Sequence, residues 1–167
     1  DTSVFSNSSG NGIVLRGGQA IDIARSNDLQ LTLNRMGNDG PHIAFYKGGG
    51  VKSYISTRSD GFCIDVNSSE RLRIDGSGRV GIGNTTMSSF TGNSSDNLVV
   101  GSGSGGEGIT VYSATDNQGS ITFADGTSGD AAYRGAVEYN HTADYLAFRT
   151  AGTGSRMAID SSGRIGI

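Results

Sequence analysis

Tryptophan is absent from this 167-residue chain, and proline and cysteine occur once each. A single cysteine, Cys63, excludes an internal disulfide, and no Cys/His spacing suits zinc. Within Phe62-Cys63-Ile64 it reads as a small buried hydrophobe rather than a reactive thiol. No apolar run approaches the ~18 residues that a membrane-spanning helix needs. The net charge is only −3, which gives no electrostatic footprint for nucleic acid. The chain opens on Asp1, without methionine or signal peptide, so a section of a longer chain is expected.

Core-forming residues are also scarce. Leu, Ile, Val and Phe make 35 of 167 residues, near the ~20 % level below which globular cores become doubtful. The high net charge that accompanies disorder is missing. Glycine contributes 28 residues, and isoleucine and valine outnumber leucine about three to one, a balance that favours pleated strands. A folded chain so short of core is expected to bury surface against other chains of its own kind.

What is present alternates at period two. Leu29/Leu31/Leu33, Ile21/Ile23, Phe62/Ile64/Val66, Leu72/Ile74, Val80/Ile82, Ile109/Val111, Ile121/Phe123, Leu146/Phe148 and Met157/Ile159 are separated by polar residues. Turn signals fall between them at Asn38-Asp39-Gly40, Ser59-Asp60-Gly61, Asp75-Gly76-Ser77-Gly78, Asp125-Gly126 and Ser161-Ser162-Gly163. No window of eleven residues keeps a helical apolar pattern. The expected fold is all-β, an elongated array of short antiparallel strands.

The array also repeats. Residues 71–82, RLRIDGSGRVGI, return as RMAIDSSGRIGI at 156–167. Upstream, Ile43-Ala44-Phe45 matches Ile121-Thr122-Phe123, and Phe62-Cys63-Ile64 matches Leu146-Ala147-Phe148. The offset drifts between matches, as loop insertions would cause. Two tandem units are expected, 1–91 and 92–167, with the polar stretch Asn84–Asn97 either linking them or docking through Met87 and Phe90.

RLRIDGSGRVGIG with Asn84-Thr85-Thr86, and SRMAIDSSGRIGI, are similar to a repeat of bacteriophage tail fibres and related virion appendages. That repeat often stands ahead of a self-cleaving chaperone domain of the S74 peptidase type. The resemblance covers most of residues 43–83 and 109–167. It implies a homotrimeric, intertwined fibre of β-prism or β-helix kind on the virion surface, serving host attachment or spacing an attachment domain from the particle. Its implied partners are the chain itself, other virion or tail proteins, and a host-surface glycan or protein receptor. No nucleic acid, membrane insertion or cofactor is expected. No chaperone sequence is present, so no cleavage residues carry over.

Several motifs weigh against that reading and fail. Gly101–Gly106 fits Gly-x-Gly-x-x-Gly, but Glu107–Tyr112 alternates as a strand would, where the dinucleotide fingerprint needs a helix N-terminus. The same glycines occur in one unit only and have Thr110 where a calcium nonapeptide needs aspartate. Glycine never settles into the period of collagen. No Gly-x-Ser-x-Gly occurs, and only His42 and His141 could act as a base. Asp65 with Glu70, or Glu138 with Asp144, could form a glycosidase pair if brought ~5–9 Å apart. A carbohydrate-binding adhesin module and a polysaccharide-degrading tailspike fragment are therefore the alternatives to a non-catalytic fibre section. Five Asn-x-Ser/Thr sequons, at Asn7, Asn67, Asn84, Asn93 and Asn140, are expected by chance in a chain this rich in those residues.

Two sets of residues remain as candidates. Asp75 with Gly78, and Asp160 with Gly163, read as turn builders whose carboxylates cap backbone N–H groups. Arg79 and Arg164 are placed to pair with them, and a metal or receptor contact is the competing role. Tyr133, Tyr139 and Tyr145 near His141 are the receptor-contact candidates, because rings stack on sugars. Rings in strands otherwise serve packing.

Overall fold

In the computed structural model the described residues are 31–167, apart from 60, 91 and 153. Ile21/Ile23, Leu29 and the sequon at Asn7 lie outside them. The described residues are all-β, with three 3-10 turns of three to five residues as their only helical segments.

The first compact unit runs to Ser102 and the second from Gly103. In the first, β1 (Gly40–Lys47), β2 (Gly50–Arg58), β3 (Gly61–Val66), β4 (Ser69–Ile74) and β5 (Val80–Ile82) form an antiparallel meander. A short β6 (Leu98–Val100) then pairs parallel with β5, Val80 opposite Leu98 and Ile82 opposite Val100. This parallel pair departs from the antiparallel expectation. It also places Leu98–Val100, beyond the boundary drawn near 91, in the first sheet. In the second unit, β7 (Gln118–Phe123), β8 (Gly135–Asn140), β9 (Tyr145–Thr150), β10 (Ser155–Asp160) and β11 (Ile165–Gly166) form an antiparallel meander.

Alternation did not everywhere make a strand. Leu31/Leu33 and Ile109/Val111 carry the pattern but join no ladder, because a strand needs a partner edge as well as a pattern. Glu107–Asn117 contains no helix, so the preceding glycines open no helix N-terminus.

Register sorts the side chains of each sheet onto two unlike faces. In the first, Ile43 lies opposite Ile55, Ile55 opposite Ile64, Ile64 opposite Leu72 and Leu72 opposite Ile82. That face is apolar and uncovered, with Phe45 50 % and Phe62 44 % exposed. In the second, Ile121 faces Val137, Val137 faces Phe148 and Phe148 faces Met157. It too is open, with Phe123 61 % and Ile121 54 % exposed.

The buried positions lie on the opposite, polar faces. Among the described residues the buried hydrophobics are Cys63, Met87, Ala136 and Ala147, all but Met87 small, joined by the polar Ser56, Asp65 and Glu138. Burial pushes the Cys63 thiol above its ordinary pKa. Met87, in a 3-10 turn (Met87–Ser89), folds onto this face over Gly81. A Cβ there would stand 2.3 Å from the Asn84 carbonyl oxygen and 2.5 Å from the Met87 Sδ, so only glycine permits the approach. Of the two anchors expected for the 84–97 stretch, Met87 docks, while Phe90 stays 47 % exposed.

Candidate functional site

The turn at Asp75 closes through its own side chain. Asp75 Oδ1 accepts from the backbone N–H of Ser77 (2.9 Å) and Arg79 (3.0 Å), and Oδ2 accepts from Arg79 Nε (2.8 Å). Asp160 repeats the arrangement: Oδ1 accepts from Ser162 N and Arg164 N (both 2.9 Å), and Oδ2 from Arg164 Nε (2.7 Å). Gly78 and Gly163 sit at φ +79° and +77°, in the left-handed region that glycine enters without strain. Arg79 also reaches Asp96 at 3.2 Å, fastening the first turn to the segment before β6.

Every oxygen of both carboxylates is therefore engaged by nitrogen donors, which is turn chemistry. Among the described residues no three His, Cys, Asp or Glu side chains group closely enough to hold a metal ion.

These bonds hold both carboxyls below the ordinary aspartate range. At Asp75 partial desolvation works upward but is outweighed by the Arg79 guanidinium and the two backbone donors. At Asp160 the Arg164 backbone and side-chain bonds lead. A depressed folded pKa means the unfolded chain binds protons first as pH falls. The turns should stabilise fully above about pH 4, the unfolded aspartate value, and lose that contribution as pH falls through the lower folded value. The Asp75→Asn/Asp160→Asn double variant should be less stable than the wild type at pH 6 and approach it near pH 2. Urea midpoints across that range check this. A constant gap would remove the carboxylates from the account.

The tyrosine candidates do not form one cluster. Tyr139 packs edge-on against His141, with ring centroids 5.0 Å apart at 73°. Its hydroxyl donates to Asp144, a bond that raises the hydroxyl's pKa. This pair borders a cavity of about 300 Å³ on the apolar face, beside Val111, Ile121 and Leu146. Tyr133 belongs to the 3-10 turn Gly129–Tyr133 on the polar side and donates to Asp130 Oδ1 at 3.2 Å. Tyr145 alternates with buried Ala147 and so shares that polar face.

The carboxylate pairs are likewise occupied. Asp65 lies opposite Glu70 across β3 and β4. Asp65 accepts from Ser56 Oγ and from Arg58 Nη2 (2.7 Å). Glu70 receives Arg73 through two bonds, at 2.7 and 2.8 Å, with Arg58 Nε at 3.5 Å. Glu138, only 4 % exposed, accepts from Arg149 at 2.8 Å on the polar face, whereas Asp144 is tied to Tyr139 of the other.

Sequence reading missed the polar surface beneath Tyr133, where Gln118, Ser120 and Thr122 of β7 face the Glu138–Arg149 pair around a groove of about 410 Å³. Its signal was the polar half of β7's alternation, which pattern alone assigns to plain solvent exposure.

No family model, curated protein or solved structure matches the chain.

Proposed function

We propose that the chain is a non-catalytic structural section of a bacteriophage tail fibre or related virion appendage, built from two tandem β units and assembled as a homotrimer on the virion surface. The observation that carries this is the open apolar face of both sheets, while the few buried side chains among the described residues lie on the opposite faces. Large exposed apolar patches on soluble proteins mark association surfaces. Three chains wrapped around a common axis, as a β-prism, would turn these faces inward and supply the core that each chain lacks.

The tandem reading is supported by register. Ile43 opposite Ile55 corresponds to Ile121 opposite Val137, and Phe62 opposite Ile74 to Leu146 opposite Ile159. Val80 and Ile165 then follow on Ile74 and Ile159, after the twin aspartate turns. Occupation of each carboxylate by an arginine, hydroxyl or backbone donor supports a structural role for the acidic residues. The sequence resemblance supplies the virion setting and the number three.

Light scattering on the purified chain at low micromolar concentration tests the assembly. The expected mass is three times the 17.2 kDa chain. A stable folded monomer would overturn the proposal. A dimer would keep association through the apolar faces and discard the fibre.

A further inference from the structure

The twin aspartate turns lead into strands with different neighbours. After the first turn, β5 carries β6 on its outer edge. Val80 N donates to the Asn97 carbonyl at 2.8 Å, and Gly101 N donates to the Ile82 carbonyl at 2.9 Å. Side chains seat the same segment: Met87 lies over the bare Gly81, and Asp96 accepts from Arg79 at 3.2 Å. Asn84 Nδ2 donates to the Gly101 carbonyl at 3.0 Å and so closes the segment on itself. Segment 83–101 is thus held by a methionine, an acid and the apolar triplet Leu98-Val99-Val100, each with its own partner on β5 or on the turn before it.

The second turn leads into the same receiving parts with no strand laid along them. β11 pairs only with β10 and forms the outer edge of its sheet. Arg164 bonds its turn aspartate as Arg79 does, yet it is 80 % exposed where Arg79 is 22 %. Ile165, the counterpart of Val80, is 62 % exposed. Gly166 is the clearest case. Its backbone does not take positive φ, and a Cβ there would meet nothing within 4 Å. Nothing among the described residues of its own unit calls for glycine, whereas at Gly81 only glycine admits Met87. Gly166 lies opposite Ala158, which is itself opposite the buried Ala147, so the surface around it is small and apolar.

Open strand edges take up strands from other chains, the backbone giving affinity and the side-chain seats giving selectivity. We infer that the β11 edge is a docking site for an extended segment of another chain, bound parallel to β11. That segment places a methionine over Gly166, an acidic residue against Arg164 and an apolar triplet beside Ile165. Charge and shape choose this occupant. A basic segment would meet the Arg164 guanidinium, and a branched side chain fits a bare glycine less well than the unbranched, flexible methionine. Segment 83–101 carries all three features in the required order, and its seat on β5 is the template. The inference rests on the tandem reading of the two units and not on the trimer.

The test is NMR titration of the full 167-residue chain with a synthetic peptide of residues 83–101. Saturable binding is expected with a Kd of about 1 mM or below, weak because the ladder is only as long as β6. The largest shifts should fall on Ile165 and Gly166. Gly166→Val should keep the fold, since its side chain enters open space, and should weaken binding roughly tenfold or more. Met87→Ala and Asp96→Lys, made in the peptide alone, leave the protein untouched and should each weaken binding about fivefold or more. Three results would overturn the inference: no saturable binding, shifts centred on Val80–Ile82 in place of β11, or an affinity indifferent to Gly166→Val and to both peptide changes. Light scattering on the same samples separates the two proposals. A trimer that does not bind the peptide sinks the docking site alone, and a folded monomer that binds it sinks the fibre alone.

Discussion

Replacing Phe148 or Ile64 with aspartate is expected to turn the proposed assembly into an unfolded monomer. Both residues sit in the middle of an apolar face, Phe148 between Val137 and Met157, Ile64 between Ile55 and Leu72. Apart from Val111 beside Ile121, neither face has a covering layer among the described residues of its own unit, so the proposed assembly is what would desolvate it. Each substitution forfeits about 1.5–3 kcal/mol of apolar burial, and an unpaired buried carboxylate costs several kcal/mol more. In a homotrimer the loss is repeated in every chain, against a stability of roughly 5–15 kcal/mol for an ordinary folded protein. Lys52→Glu is the control, because Lys52 is exposed at a register shift of β2 and takes no part in the apolar cross-strand pairs. Light scattering and circular dichroism of the three variants decide the matter. Folded Phe148→Asp and Ile64→Asp monomers would show that the apolar faces are surfaces without an assembly role.

Much of this architecture is legible in the sequence, because it is written in local terms. Period-two alternation located β3, β4, β5, β7, β9 and β10, but it did not pick out β2 or β8, which ladder fully. Asp-x-x-Gly-Arg located the twin turns and the role of their carboxylates as caps of backbone N–H groups, since such turns are closed by residues within four positions of one another. Cys63 was recognised as buried from its flanking Phe62 and Ile64, yet its side chain points to the other face, among Ser56 and Asp65.

Long-range choices were not legible. The parallel pairing of β5 with β6 depends on where the 84–97 segment lands, and that is set by Met87 meeting a bare Gly81. The hairpin at Asn67-Ser68 went unnoticed because its two residues take positive φ, at +50° and +62°, without a glycine. The carboxylates of Asp65 and Glu70 were correctly paired across strands but read as possible catalysts, because the arginines that hold them arrive from β2 and β4. The groove under Tyr133 needs three strands and an eleven-residue loop in place before it exists.

Asp65→Ala should be the most damaging single change on a polar face. Asp65 has no exposed surface and accepts from both Ser56 and Arg58. Removing the carboxylate leaves the buried Ser56 hydroxyl without its acceptor and leaves Arg58 facing only Glu70, at 3.5 Å. Breaking a buried pair by deleting one partner typically costs about 3–5 kcal/mol. Arg58 is 41 % exposed, and water there screens part of the loss, so about 2–3 kcal/mol is expected. Asp65→Asn keeps an acceptor for Ser56 and should lose about 1 kcal/mol. The Arg58→Met/Asp65→Ala pair should cost less than the sum of its singles, since a stranded guanidinium is no longer present. Urea unfolding of the four proteins measures the cycle. Strict additivity would mean that Asp65 acts through Ser56 alone, and that the arginine is a surface residue passing over it.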